Sequence, residues 1–194
     1  MKQPCYFMFD TETGGLEPKH SLLEFYGITL TKDLEPVAEI HMLIRPNDGE
    51  DYIVNAGALA VNKIDLVSHS QNSITRNEAS LKLFNFLKES HTQAGKKLIP
   101  AGHNIPFDIG MVFGQLMVKK MWETYCSYHF LDTCVLAEAF KIAGLIPPKV
   151  SRLGTIAEKL GVNVDANQLH GAKYDIMVNI EVLKKMISLL KKES

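Results

Sequence analysis

Five residues, Cys5-Tyr6-Phe7-Met8-Phe9, form an apolar run that stops at Asp10-Thr11-Glu12-Thr13-Gly14-Gly15. A run this short, without alternation and closed by turn formers, reads as a strand buried on both faces, the first and central strand of a sheet. Two more β-rich runs follow, at residues 22–31 and 37–44, separated by Lys32-Asp33-Leu34-Glu35-Pro36, which suits a hairpin or short meander. The sheet is therefore expected to begin antiparallel. From Ala79 the spacing turns helical, with Leu83, Phe84 and Leu87 on one stripe, and residues 98–101 give a further short strand. Pro100 weakens that strand unless its missing N–H faces an unpaired edge.

Residues 108–117 read as helix, 129–131 as a last strand and 133–143 as helix again. A loop holding Pro147 and Pro148 leads to an amphipathic helix from about Ser151, with Gly161 as its stop. The final helix, about 172–190, carries Ile176, Ile180, Leu183 and Ile187 on one stripe, with lysines at its end. The expected class is α/β: a mixed five-stranded sheet, three strands in an antiparallel meander and then parallel strands, with helices on both faces.

Across 194 residues no repeat, low-complexity tract or Gly/Ser/Pro-rich linker appears, so residues 1–194 are expected to form a single domain. Charges interrupt the apolar runs well short of the roughly 18 residues of a membrane span, and Asp10 cuts off any signal-peptide core. A cytoplasmic protein without a membrane partner is expected. Cys5, Cys126 and Cys134 show no CxxC spacing, which supports neither a disulfide framework nor a zinc finger. The 21 basic and 22 acidic residues leave a formal charge of -1, against a protein that coats nucleic acid non-specifically. GxSxG and GxxxxGK[ST] are both missing, which disfavours a serine hydrolase and a P-loop NTPase.

Three places could carry chemistry. Asp10 and Glu12, two apart on the first strand, leave one face side by side and repel unless a cation lies between them; a solvated Asx-turn is the plainer alternative. In Gly102-His103-Asn104-Ile105-Pro106-Phe107-Asp108 a strand ends, Asn104 can cap a helix and Asp108 falls in its first turn, where it could equally serve only the helix dipole. In His170-Gly171-Ala172-Lys173-Tyr174-Asp175 the glycine lets His170 lie in the preceding loop while Asp175 occupies the first helical turns, so that the two can converge. The remaining histidines, His20, His41, His69, His91 and His129, read as surface or turn residues.

Together the motifs FDTETGG, GHNIPFD and HGAKYD resemble the DEDDh family of 3′–5′ exonucleases, which has a ribonuclease-H-like fold and includes polymerase proofreading subunits, oligoribonucleases and ribonuclease T. The resemblance runs through nearly the whole chain in the right order. It implies that Asp10, Glu12 and Asp175 hold one divalent cation, Mg²⁺ or Mn²⁺, that Asp10 bridges to a second, and that Asp108 orients waters around the second. Two such ions about 4 Å apart clamp the attacking and leaving oxygens of a phosphodiester, and hard cations take carboxylate oxygens. His170 is implied as the general base. Setting aside Asp10, Glu12, Asp108 and Asp175 brings the formal charge from -1 to +3, which suits a short single-stranded end.

By the same resemblance the strand end would be met by Thr11, Thr13, Gly14, Leu16, Asn62, Ile64, His103, Asn104 and Phe107. Leu16 is implied as a wedge against the terminal base, and residues 58–64 resemble the family's substrate-contacting segment before a short helix. Lys63 stands where many members carry Gly. The implied substrate is single-stranded nucleic acid with a free 3′ end, DNA favoured over RNA, cut to 5′-mononucleotides in proofreading or repair. Oligoribonuclease-like or ribonuclease T-like RNA trimming is the alternative, and a catalytically silent binding module a distant one. Residues 1–194 stop soon after the last expected helix, so the further C-terminal region through which the bacterial proofreading subunit meets its polymerase is not expected. Sequence gives neither a polymerase partner nor an oligomeric state.

Overall fold

The computed structural model describes residues 2–147, 149–165, 169 and 171–192. In chain order the elements are β1 (Tyr6–Thr13), β2 (Leu22–Leu30), β3 (Pro36–Arg45), α1 (Ala56–Asn62), α2 (Leu66–Asn72), β4 (Ile74–Thr75) and α3 (Arg76–Ala94). They continue with β5 (Ile99–Gly102), α4 (Ile105–Gln115), α5 (Lys119–Tyr125), β6 (Leu131–Asp132), α6 (Thr133–Ile142), α7 (Leu153–Lys159) and α8 (Ala172–Lys192). Among the described residues the strands form a six-stranded sheet in the order β4-β3-β2-β1-β5-β6. The expected antiparallel start and parallel finish are both present: β1 and β3 run antiparallel to β2, and β5 and β6 continue parallel to β1. The sixth strand is the two-residue β4, parallel to β3 at the outer edge and too short for an alternation pattern to reveal.

β1 is longer than its apolar run. Asp10 and Glu12 lie within the strand rather than in a turn, because β2 continues to pair with it, Asp10 opposite Tyr26 and Glu12 opposite Glu24. Pro100 is accommodated as the sequence requires. Ile99 N donates to Cys5 O, so the proline's missing N–H falls on the side away from β1, where β6 pairs only from Ala101 onward.

Alternation along β1 divides the core. Phe7 and Phe9 stack at 5.0 Å on one face and pack with Phe25, Leu83, Leu87, Met111, Val112 and Trp122 from β2, α3, α4 and α5. Met8 faces the other way, with Tyr26, Ile28, Ile176, Ile180 and Leu183, which places the apolar stripe of α8 under the sheet. A third cluster joins α6 and α7 to the outer side of α8 through Phe140, Ile156, Ala157, Val178 and Val182.

Two helices before β4 were not marked by apolar periodicity, since α1 has no buried residue and α2 buries only His69. His69 is therefore not the surface residue its sequence setting implied. Its Nε2–H donates to Leu23 O at 2.8 Å and Tyr52 Oη–H donates to its Nδ1 at 3.0 Å, tying α2 to the sheet. α5 also escapes the pattern, being seven residues long with Trp122 alone buried. Among the described residues no helix is long and apolar enough to cross a membrane.

Candidate active site

The site lies where β1 outruns β5. The parallel ladder pairs Met8 with Ala101 and β5 stops at Gly102, so Asp10 to Thr13 project past it while the chain turns into α4. A crevice beyond the ends of parallel strands is the usual ligand position in an open α/β sheet. Met8, Asp10 and Glu12 share the face that packs on α8, and α8 brings Asp175 to that face in its first turn. Carboxylate oxygens of Asp10, Glu12 and Asp175 all lie within 4.8 Å of one another.

Asp108 approaches from the opposite side. Thr11, between the two acids, points to the other face of β1, and its hydroxyl donates to Asp108 Oδ1 at 2.7 Å. Asp108 is 3% exposed and sits in the first turn of α4, where the helix dipole favours its anion. Asn104 occupies the N-cap position but makes no side-chain cap. Its backbone is left-handed at φ 61°, and its N–H instead donates to Asp132 Oδ1 at 2.9 Å. His170 falls outside the described residues.

Burial, reinforced by mutual repulsion, is the electrostatic signature of the cluster. Burial holds the Asp10 carboxyl well above the usual carboxylate range, with Asp108, Glu12, Asp175 and Glu24 adding to the shift. Burial likewise raises Glu12 to about 8, helped by Asp175, Glu24 and Asp108. Asp108 is pushed up to about 7, again mainly by burial, with the Thr11 hydrogen bonds pulling the other way. Carboxylates held this close lose protons only against their neighbours' charge, and divalent cations remove that penalty. An all-oxygen donor set is what Mg²⁺ and Mn²⁺ take, so the residues fit the implied ions.

The other predicted contact residues fall into two groups. Leu16 is 82% exposed beside the site and belongs to no core cluster, as a residue free to meet a base would be. The rest build the wall. A Cβ on Gly14 would come within 2.6 Å of Ile53 O and Val54 Cγ1, so the glycine is needed for the close passage of residues 53–55. Thr13 Oγ1 donates to Gly15 O at 2.7 Å, and Asn62 Nδ2 donates to Thr13 O at 3.1 Å, fastening the end of α1 to β1. Ile64 N donates to Asn62 Oδ1 at 3.2 Å, and Ile64 is half-buried. Residues 58–62 are thus helix themselves, with α2 following. Phe107 packs on the core under α4, and His103 is half-buried, bonded to Thr133.

Lys63 explains why glycine suits its position: it is the C-cap of α1, with φ 58° in the left-handed region. A residue that sequence reasoning missed is Glu24. It stands directly opposite Glu12 across the β1–β2 ladder and accepts a hydrogen bond from His41 Nε2–H at 2.7 Å. Only the strand register reveals it, since nothing in LLEFYGITL marks a fifth acid at the site.

A model of the Exonuclease (RNase_T) family matches residues 7–183, which contain all three motifs. The chain belongs to this exonuclease family. It is an enzyme, a 3′–5′ exonuclease of the DEDDh type, and the family's dependence on divalent metal accords with the carboxylate cluster. Ribonuclease T of Buchnera aphidicola subsp. Schizaphis graminum is 28% identical over 190 residues, covering 93% of this chain and 82% of that protein. The PolC-type DNA polymerase III of Ureaplasma parvum serovar 3 is 26% identical over 186 residues, 93% of this chain and 11% of the polymerase. Among solved structures, E. coli exonuclease I in complex with a dT13 oligonucleotide superimposes with a TM-score of 0.73 at 16% identity, over 98% of this chain. This chain spans 43% of the length of that exonuclease I chain.

Proposed function

We propose that this exonuclease removes nucleotides one at a time from the 3′ end of single-stranded DNA, releasing 5′-mononucleotides, as one domain over residues 1–194 acting in the cytoplasm. The observation that carries the reading is the convergence of Asp10, Glu12 and Asp175 within 4.8 Å, with Asp108 reached through Thr11. Asp10, Glu12 and Asp175 would hold one divalent cation and Asp10 and Asp108 a second, Mg²⁺ or Mn²⁺. When bound, these ions offset the negative charge that hydrolysis builds on the phosphodiester.

The chain's own groups do the rest. His170 takes the proton from the attacking water as the general base, a contribution of roughly 10²-fold or more. Leu16 lies against the terminal base, and the wall of Gly14, Asn62 and Ile64 limits the site to a frayed end. Asp108, with one oxygen held by Thr11, keeps its other oxygen for the ion or its waters.

DNA is supported by the form of FDTETGG and by the single-stranded DNA bound to exonuclease I. RNA end trimming is the second reading, favoured by the similarity to ribonuclease T. Cleavage of 3′-labelled DNA and RNA oligomers of matched sequence separates them. Faster release from DNA supports the first reading, and faster release from RNA replaces it with the second.

A further inference from the structure

A buried polar node lies one helical turn behind the carboxylate cluster. Thr133, fully buried at the start of α6, has its hydroxyl 2.7 Å from Asn179 Oδ1, 3.2 Å from Gly102 O and 3.0 Å from His103 Nδ1. A hydroxyl has one proton, and the shortest contact takes it to Asn179 Oδ1. Asn179 is 2% exposed and four residues after Asp175 on α8, hence on the same stripe and about 6 Å further along the axis. Gly102 and His103 form the corner from which α4 carries Asp108. One hydroxyl therefore joins the helix that bears Asp175 to the strand end that launches Asp108.

We infer that the Thr133–Asn179–His103 node is a positioning device for the metal site, setting the height and rotation of α8 against β5 so that Asp175 meets Asp10 and Glu12. The reason is steric and directional. Apolar packing holds α8 on the sheet by shape alone, whereas buried hydrogen bonds also have one direction and leave unsatisfied polar atoms if it is lost. His103 acts here through Thr133. The inference deepens the proposed metal site and rests on it.

The test measures Mn²⁺ binding to the metal-free protein without substrate, alongside the melting temperature. Thr133→Val keeps the shape and removes the hydroxyl; Thr133→Ser keeps the hydroxyl. Thr133→Val is expected to weaken Mn²⁺ binding about tenfold or more, the range for groups that orient metal ligands, while Thr133→Ser stays close to wild type. Should Thr133→Val fail to fold, Asn179→Ala carries the same expectation. Wild-type Mn²⁺ affinity in a folded Thr133→Val or Asn179→Ala protein with a lowered melting temperature would overturn the inference, making the node a stability feature only. Absence of Mn²⁺ binding by the wild-type protein would overturn the metal site itself, and the inference with it.

Discussion

Thr11 and Asp108, 97 residues apart, share a 2.7 Å hydrogen bond in which the threonine hydroxyl donates to the buried carboxylate. The bond crosses from β1 to α4 and joins the two acids on one face of β1 to the acid that arrives from the other side. It also stabilises the charged form of Asp108 against burial, which even with this bond in place pushes its pKa up to about 7.

Thr11→Val removes that donor while keeping the side-chain volume. The Asp108 pKa is then expected to rise further, so more of it is protonated near neutral pH and metal must compete with a proton. The Mg²⁺ concentration for half-maximal cleavage should increase several-fold near pH 7, and the increase should shrink at about pH 9, where Asp108 ionises regardless. Mg²⁺ titrations at the two pH values check this; an equal penalty at both would assign Thr11 a purely structural part.

Glu12 and Asp108, raised to about 8 and about 7, also set the pH response of the metal-free fold. A carboxyl whose folded pKa lies above its unfolded value favours folding most below the unfolded value, and that stability is lost as pH rises through the folded value. The melting temperature of metal-free protein should therefore fall between about pH 4.5 and about pH 8. Mg²⁺ should restore more at the alkaline end than at the acid end. A metal-free melting temperature that rises across this window contradicts the electrostatic account.

Lys63 is held at φ 58°, a conformation that costs a lysine roughly 1 kcal/mol more than a glycine. Lys63→Gly should raise the melting temperature by about 2–4 °C. Cleavage unchanged in that variant would mean that the position answers to the turn after α1 rather than to the strand end.

Leu16, 82% exposed, stabilises nothing by burial. Leu16→Ala is expected to weaken binding of a single-stranded 3′ end, seen as a raised KM, with little change in melting temperature. A lowered melting temperature with unchanged KM would make Leu16 a packing residue.

Much of this arrangement could be read from the sequence because each motif sits at an element boundary. Asp108 follows a strand-ending Gly102, and Asp175 follows the Gly171 that precedes α8. Elements with a wide apolar stripe, such as α3 and α8, were legible for the same reason. α1, α2 and α5 were not, since they are seven residues long and bury one residue or none, leaving periodicity with nothing to detect. Glu24, Thr133 and Asn179 were hidden differently. Their roles come from cross-strand register and from contacts 31 and 46 residues apart in the chain, which no local pattern encodes.

The central claim is that Asp10 and its neighbouring carboxylates form a metal site for 3′-end hydrolysis. The most direct measurement compares wild type and Asp10→Ala on a 3′-labelled linear strand and a circular single strand, with Mg²⁺ and with excess EDTA. The account predicts mononucleotide release from the linear 3′ end by wild type in Mg²⁺ alone, no cutting of the circle, and a folded but inactive Asp10→Ala protein. That variant's metal-free melting temperature near pH 8 should not fall, because a repelled carboxylate has been removed. Full turnover in EDTA, cutting of the circle, or an active Asp10→Ala protein would contradict it.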